Sequence, residues 1–322
     1  MIGKRGKLLI FVYIIFLIVL FLMCSTDLII REPEKEIYQI AVIIEDAGDD
    51  NYGNFRKGMD QAAIEFNADV RFITLYEKLD AEQQMELISR EQQDGVDALV
   101  VAPVDEQQMV DMLEEKKVSV PVVILGSGTA KRNAAGCVVV DYRKMGEQLA
   151  EQMLGRIPEN CPVILLGETG SRSVMSDDFL KGAETVLSDS GHESRALAVG
   201  EETAYKKMSE SLEEDEMVIL AESPEILSET AEALAENPEF LGRVRGLYGR
   251  GNTLSISGSL DRGLITGICV TDEFSRGYFS VQMAVEALEG SRTQKTLVMD
   301  SYYIEKKDLR EPEYEKVLFP ME

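Results

Sequence analysis

The most constraining feature of the sequence is a repeated change in hydrophobic periodicity. Short runs of Val, Ile, Leu and Ala alternate with longer segments in which apolar residues recur every three or four positions. The short runs are continuously apolar, which is typical of strands in a parallel sheet covered by helices on both faces. Ten such runs predict strands at 40–44, 70–75, 98–102, 121–125, 137–140, 162–166, 196–199, 217–221, 246–249 and 264–270.

The segments between these runs predict helices. In residues 54–67, Phe55, Met59, Ala62 and Phe66 form one apolar stripe, which indicates an amphipathic helix. Gly58 lies within this helix, where we expect it to permit close packing. The other predicted helices are 80–93, 105–117, 143–155, 174–189, 203–212, 224–236 and 273–289. Strands that alternate with helices favour right-handed βαβ units.

Ten strands are too many for one doubly wound sheet of ordinary size. The segment GSGTAKRNAAG, residues 126–136, interrupts the apolar pattern, and a second series of strands and helices follows it. The sequence therefore predicts an α/β protein with two doubly wound parallel-sheet lobes. Ligands of such sheets bind beyond the carboxyl ends of the strands, so we expect one cleft between the lobes. In the helix after the third strand, Asp105 is a predicted N-cap.

Residues 1–31 differ in kind from the rest of the chain. Lys4, Arg5 and Lys7 precede a stretch, 8–26, that contains no charged residue and is long enough as a helix to span about 30 Å of hydrocarbon. An uncleaved membrane anchor fits this pattern best. A cleaved signal peptide would have a small-residue cleavage site, and a lipoprotein attached through Cys24 would have small residues before that cysteine. All three alternatives place the remaining chain outside the cytoplasm.

The charge excludes one large class of function. The chain carries a formal net charge of −25 at pH 7, and such a field repels nucleic acids. Four cysteines occur without CxxC spacing, and Cys137, Cys161 and Cys269 lie in apolar runs. We expect these three to be buried structural thiols.

Enzyme motifs are missing from the sequence. There is no phosphate-binding GxxxxGK[ST], no GxGxxG after the first strand and no GxSxG. His192 is the only histidine, which argues against a catalytic triad or a histidine-based metal site. The acidic loop 45–50 does not match a calcium-binding loop. We therefore predict a binding protein with no cofactor and no metal.

Several segments together resemble the periplasmic binding proteins of the ribose/galactose type, which share their fold with LacI-type sensor domains. The resemblance covers about residues 38–304. Its more specific pieces are GVDALVVAPVD, residues 95–105, and DYRKMGEQLA, residues 141–150. It is supported by the first strand and loop, IAVIIEDAGDDNYG, and by the segment CVTDEFSRGYFSVQMAVEALEG, residues 269–290.

The resemblance implies a type I periplasmic-binding-protein fold with a hinge of three crossover strands. On that basis we divide the chain into an anchor and two lobes, each made of two segments. The anchor is 1–31, the N-terminal lobe is 32–139 plus 271–292, and the C-terminal lobe is 140–270 plus 293–322.

The resemblance also implies candidate ligand-binding residues. The family's first-loop aromatics fall at Asn51 and Tyr52, with Tyr52 able to stack on a sugar, and Asp46 is a further hydrogen-bonding candidate in that loop. Elsewhere the chain departs from the family. Ser127 follows Gly126 where an Asp–Arg pair is common, and Arg172 is the candidate to replace an arginine whose place is taken by Phe179.

Two further positions complete the candidate set. Glu222 stands where an Asn–Asp pair is common, and Arg250 stands near the usual aspartate of a Gly-Phe-Asp sequence. Arg172 and Arg250 would suit an anionic or carboxylated ligand. The ligand therefore remains open between a sugar and a more acidic solute.

The resemblance implies capture of a small polar ligand between the lobes, without catalysis. The leading prediction is an extracytoplasmic solute-binding protein for an ABC-type importer, with a membrane permease as its partner. The alternative is a membrane-tethered co-receptor that presents its closed state to a sensor kinase. The predicted membrane segment, residues 8–26, occupies the place where a repressor would have its DNA-binding helices.

Overall fold

The computed structural model describes residues 4–25, 37–115, 117–127, 133–158, 161–168, 173–199, 216–290 and 295–320. It separates an N-terminal unit, Met1–Ile37, from a compact unit, Tyr38–Glu322. In its described residues the first unit contains one helix, α1 (Lys4–Ser25). Its window Arg5–Met23 has a mean hydropathy of 2.8, and its apolar side chains are exposed in the structure. By length and composition, this helix could cross a membrane or serve as a signal sequence.

The described part of the second unit contains two six-stranded sheets. All ten predicted strands are present, and two more follow them near the C-terminus. The strands are β1 (Tyr38–Ile43), β2 (Ala68–Ile73), β3 (Ala98–Val101), β4 (Val122–Ser127), β5 (Gly136–Val140), β6 (Val163–Glu168), β7 (Ser194–Val199), β8 (Met217–Ala221), β9 (Val244–Arg250), β10 (Gly267–Thr271), β11 (Lys295–Met299) and β12 (Ser301–Ile304).

The helices follow the predicted pattern with three additions. They are α2 (Gly53–Phe66), α3 (Ala81–Gln93), α4 (Glu106–Glu114), α5 (Tyr142–Leu154), α6 (Val174–Asp189), α7 (Pro224–Glu236), α8 (Pro238–Arg243), α9 (Leu254–Arg262), α10 (Glu273–Leu288) and α11 (Pro312–Leu318). Sequence analysis did not predict α8, α9 and α11. The predicted helix 203–212 lies outside the described residues. The N-cap prediction is confirmed, because the Asp105 carboxylate accepts a hydrogen bond of 2.9 Å from the Gln108 amide.

The two sheets have matching strand orders, β11-β5-β4-β3-β1-β2 and β12-β10-β9-β8-β6-β7. The first sheet is parallel throughout. The second is parallel except that β12 runs antiparallel to β10. In each sheet the first strand lies between the second and the third, so each lobe has a switch point at which a ligand site is expected. The predicted fold class is confirmed.

The chain passes between the sheets three times, after β5, after β10 and between β11 and β12. These passages correspond to the predicted three-strand hinge. Strand β11 pairs with β5 in the first sheet, although the domain division placed 293–322 in the C-terminal lobe. The division at the remaining boundaries stays a prediction.

Each lobe holds one helix pair together by a reciprocal glycine contact. A Cβ at Gly58 of α2 would lie 1.9 Å from the Phe274 carbonyl oxygen of α10, and a Cβ at Gly277 of α10 would lie 2.0 Å from the Phe55 carbonyl oxygen. Gly146 of α5 and Gly182 of α6 make the equivalent contact in the second lobe. Only glycine permits this backbone approach, so the structure accounts for Gly58 as the sequence predicted.

Candidate ligand-binding cleft

A cavity of about 640 Å³ lies between the carboxyl ends of the two sheets. Both lobes supply its walls. From the first lobe, the side chains with hydrogen-bonding groups that line it include those of Glu45, Asp46, Asn51, Tyr52, Lys78, Glu273 and Arg276. From the second lobe they include those of Tyr142, Glu168, Ser176, Glu225, Arg250 and Asn252. A concave site with a few convergent polar groups is the usual form of a small-molecule site.

The loop after β1 forms one edge of the cavity and carries three of the predicted site residues. Asp46 is partly buried, and its carboxylate accepts a hydrogen bond of 2.8 Å from the Ala47 amide. Burial raises the pKa of Asp46, and Lys78 opposes this rise. Asn51 also lines the cavity, but its side-chain amide donates to the Glu225 carboxylate of the opposite lobe.

Tyr52 lies at the cavity wall with most of its ring in the core. It is 7% exposed, and its ring packs against Phe55 and Phe72 at centroid distances of 5.9 and 5.6 Å. Its hydroxyl interacts with the Glu45 carboxylate, and burial raises the Tyr52 pKa well above its ordinary value. The Tyr52 ring is therefore largely enclosed by the core, and little of its surface is open to the cleft.

A buried charged group that sequence analysis did not select lies beside Tyr52. Arg276, the fourth residue of α10, is 4% exposed, and its Nη1 donates to the Glu273 carboxylate at 3.2 Å. Glu45 lies two residues after the end of β1 and is 8% exposed. The available signal was Arg276 itself, because charged residues rarely occupy the buried face of a helix. The small residues Gly277 and Ser280, which are also buried, mark that face of the helix.

The pKa values of Glu45 and Arg276 depend on each other and on the neighbouring charged and tyrosine side chains. Burial raises the pKa of Glu45, against the lowering effects of its own backbone amide and of Arg276. Burial lowers the pKa of Arg276, but Glu273, Tyr142 and Tyr52 outweigh it, and the net shift is upward. Arg276 is therefore permanently charged at the wall of the cleft.

Arg250 occupies the wall of the second lobe, as its position at the end of β9 requires. Its Nε donates to the Glu222 carbonyl at 2.7 Å, and its Nη2 donates to the Ser176 hydroxyl at 3.3 Å. The guanidinium also lies 5.2 Å from the ring centroid of Tyr142 and 5.9 Å from that of Phe179. These contacts hold Arg250 in a fixed orientation within its own lobe.

Two of the remaining predicted residues, Ser127 and Glu222, do not line this cavity. The Ser127 hydroxyl donates to Asp178 of α6 at 2.8 Å. Glu222 is buried and accepts a hydrogen bond of 2.6 Å from the Glu168 amide. Burial raises the pKa of Glu222. Arg172 lies outside the described residues.

Several polar contacts join the two lobes directly across the cleft. Lys78 Nζ lies 3.7 Å from the Glu168 carboxylate and 3.6 Å from the Glu225 carboxylate. The contacts of Asn51 with Glu225 and of Ser127 with Asp178 add to these ion pairs. The structure is therefore a closed arrangement in which the protein bridges its own lobes.

The C-terminal segment covers part of the cavity mouth. Leu318, Phe319 and Pro320 line the cavity, and Leu318 is buried in the core of the second lobe. Asn54 of α2 donates to the Leu318 carbonyl at 3.0 Å, and Lys57 donates to the Pro320 carbonyl at 3.3 Å. This segment therefore contacts both lobes, a contact that sequence analysis did not predict.

The chemistry of the cleft is that of binding. Among the described residues, no group of three or more His, Cys, Asp or Glu side chains is placed to hold a metal ion. Cys269 lines the cavity, but burial raises its pKa, so the thiol is protonated and a poor nucleophile. The cavity thus offers hydrogen-bond donors, acceptors and aromatic surface to a small polar molecule.

Two sheets of matching topology, three crossovers and a cleft at the switch points define the class of two-lobed binding proteins. Residues 40–292 match the family described as "Periplasmic binding protein domain". The chain therefore belongs to this family, whose members bind solutes and are not enzymes. Comparison with curated protein sequences gave no significant match.

Solved structures of the same fold include several ABC transporter solute-binding proteins. One from Agrobacterium vitis with bound D-fucose has a TM-score of 0.77 at 16% identity, over 87% of this chain and 100% of that one. One from Bacillus halodurans C-125 with bound myo-inositol has a TM-score of 0.72 at 18% identity, over 88% and 99% of the two chains. A glucose-galactose binding protein from Geobacillus stearothermophilus has a TM-score of 0.72 at 18% identity, over 86% and 100%.

Proposed function

We propose that the chain is an extracytoplasmic solute-binding protein that closes on a sugar or sugar-like molecule and delivers it to an ABC-type importer. The observation that carries this proposal is the cavity of about 640 Å³ lined by polar and aromatic side chains of both lobes. The sugars and inositol bound by proteins of the same fold support the choice of ligand class.

Closure follows from the position of the cleft between the lobes. A ligand that contacts both walls gains interactions only in the closed state, so it shifts the population toward that state. The protein's own contacts, Lys78 with Glu168 and Glu225 among them, lower the free energy of the same state. A permease that recognises both lobes together would then bind the loaded form preferentially.

Helix α1 supplies the proposed membrane attachment. Its window Arg5–Met23 has the length and hydropathy of a membrane span, and the basic residues at its start, Lys4, Arg5 and Lys7, favour a cytoplasmic N-terminus. A transmembrane anchor of this kind also favours the second candidate function, a co-receptor that presents its closed state to a sensor kinase. Attachment of a lipid to Cys24 would favour the importer instead.

A ligand screen tests the proposal. The full-length protein is kept in a polyoxyethylene detergent, because a glycoside detergent would itself present sugar hydroxyls to the cleft. Its melting temperature is measured with D-fucose, D-arabinose, D-allose, D-tagatose, D-galactose and myo-inositol, and with amino acids as controls. At a concentration of about 100 times Kd, a ligand that binds only the folded state stabilises it by about 2.7 kcal/mol.

We expect at least one of the six polyhydroxylated compounds to raise the melting temperature in a concentration-dependent manner. Failure of all six at 10 mM, or a shift with amino acids alone, would reject the proposed ligand class. The choice between importer and co-receptor is tested by crosslinking the loaded protein in its native membranes. Capture of a permease supports the importer, and capture of a kinase supports the co-receptor.

A further inference from the structure

Two buried ionic side chains at the wall of the cleft keep unused hydrogen-bonding atoms. The Nε and Nη2 atoms of Arg276 have no hydrogen-bond partner among the described residues, and neither does the Oε2 atom of Glu45. Arg276 is 4% exposed and Glu45 is 8% exposed, and both line the cavity. Buried polar groups are nearly always hydrogen-bonded, because leaving them unpaired is costly. Two unpaired donors and an unpaired acceptor on side chains that line the same cavity and interact electrostatically therefore point to a bound partner.

The types of atom restrict what that partner is. The guanidinium only donates hydrogen bonds, and the carboxylate only accepts them. A hydroxyl group both donates and accepts, so two neighbouring hydroxyls can accept from Arg276 while one of them donates to Glu45. A carboxylate ligand would pair with Arg276 but would also lie against Glu45. An ammonium group would pair with Glu45 but would lie against Arg276.

The rest of the wall disfavours an acidic ligand further. Asp46, Glu168 and Glu225 also line the cavity. The arginine that the sequence suggested for an anionic ligand, Arg250, already donates to Glu222 and Ser176 within its own lobe. Like charges in a site with low exposure to solvent repel strongly. An anion would therefore meet more acidic side chains than free cationic ones.

We infer that Arg276 and Glu45 are the specificity-determining residues of the cleft, and that they bind a pair of neighbouring hydroxyls on a neutral polyol in preference to the corresponding acid. This inference rests on the proposed function and deepens it. Tyr52 and Tyr142 line the same cavity and interact electrostatically with Arg276. They would complete the enclosure of the polyol ring.

The inference is tested first on the unmodified protein with a matched ligand pair. D-Galactose and D-galacturonate differ only in the group at carbon 6, and myo-inositol provides a neutral polyol without an anomeric centre. Isothermal titration calorimetry is performed on the full-length protein in polyoxyethylene detergent. We expect the neutral compounds to bind at least 10-fold more tightly than D-galacturonate. Equal or tighter binding of D-galacturonate would overturn the inference, while leaving a solute-binding function intact.

Two substitutions then test the residues themselves. Arg276→Lys keeps the charge but removes the planar pair of donors, and Glu45→Gln keeps the shape but removes an acceptor. Each is expected to weaken binding of the tightest neutral compound about 10- to 100-fold, the range for hydrogen bonds to charged groups. The control is Glu91→Gln, because Glu91 is equally buried in the same lobe but pairs with Arg71 at 2.8 Å outside the cavity. The affinity of the Glu91→Gln protein for the same neutral compound is expected to equal that of the wild type.

The outcomes separate this inference from the proposed function. Wild-type affinity in both cleft variants would overturn the inference alone, since unpaired atoms satisfied by water need no ligand. Absence of binding by all neutral compounds to the wild type would reject the proposed function, and the inference with it. Each variant is first melted without ligand to establish folding. If a variant is unfolded, the comparison of D-galactose with D-galacturonate on the wild type decides.

Discussion

The glycine contact between α2 and α10 leads to a sharp stability prediction, for the substitution Gly58→Ala. The added Cβ would lie 1.9 Å from the Phe274 carbonyl oxygen, 2.7 Å from its carbonyl carbon and 3.0 Å from the Tyr278 amide nitrogen. Close carbon–oxygen contacts in proteins begin at about 3.3 Å. The helices would therefore have to separate by about 1.4 Å, the difference between these two carbon–oxygen distances.

Separation of the helices affects more than one contact, because both helices pack on the same face of the first sheet. Overpacking of a core costs about 1–3 kcal/mol when side chains can yield. Here the obstacle is backbone, so we expect a destabilisation of about 3 kcal/mol or more. Replacement of glycine by alanine would otherwise stabilise a helix by about 1 kcal/mol, so the sign of the effect depends on the contact.

Urea unfolding followed by circular dichroism at 222 nm measures the effect, since the chain has no tryptophan for a fluorescence assay. The matched control is Gly258→Ala, because Gly258 is an exposed residue of α9 with nothing within 4 Å of an added Cβ. The control is expected to gain about 1 kcal/mol from helix propensity. A Gly58→Ala protein within 0.5 kcal/mol of the wild type, or as stabilised as the control, would refute the packing argument.

Three further predictions follow from the cleft and its surroundings. Phe319→Ala should weaken binding of a neutral sugar about 2- to 10-fold, as expected for loss of one aromatic contact. The reason is that Phe319 lines the cavity and is 40% exposed. Unchanged affinity by calorimetry would contradict a role of Phe319 in binding. Glu222→Gln should raise the melting temperature at pH 7.5, and the gain should shrink as the pH falls toward 4. Burial raises the folded-state pKa of this carboxyl, so the wild type loses stability as pH rises through that value and the amide does not; a gain that is constant with pH would refute this. Lys78→Met should open the unliganded protein, because it removes the ion pairs with Glu168 and Glu225 at 3.7 and 3.6 Å. Small-angle X-ray scattering should then show a larger radius of gyration than for the wild type. An unchanged radius of gyration would mean that these ion pairs do not stabilise the closed state.

The fold could be predicted from the sequence because its signal is local and repeated. The ten apolar runs and the stripe of Phe55, Met59 and Ala62 each reflect which face of an element is buried, and burial is the dominant constraint on residue type. The elements that were missed, such as α8 and α11, have only six and seven residues. A helix of that length shows fewer than two full turns of periodicity, so its pattern is weak.

The candidate site could be predicted only in part. Asp46, Asn51 and Tyr52, which the family resemblance indicated in the loop after the first strand, line the cavity, as expected for residues beyond the carboxyl end of a parallel strand. Ser127 and Glu222 were also placed at strand ends, but their partners, Asp178 and the Glu168 amide, direct them away from the cavity. Position along the chain does not reveal which neighbour a polar side chain selects.

The sequence by itself determined the two α/β lobes, the acidic surface and the apolar N-terminal segment, because each depends on composition and periodicity within a short window. Only the tertiary structure decided the contents of the cleft. Glu45 and Arg276 are separated by more than two hundred residues in the sequence, yet they line one cavity together. The physical reason is that hydrogen bonds and charge pairing are short-ranged in space, while nothing in the local sequence encodes which distant strand end and helix turn will meet.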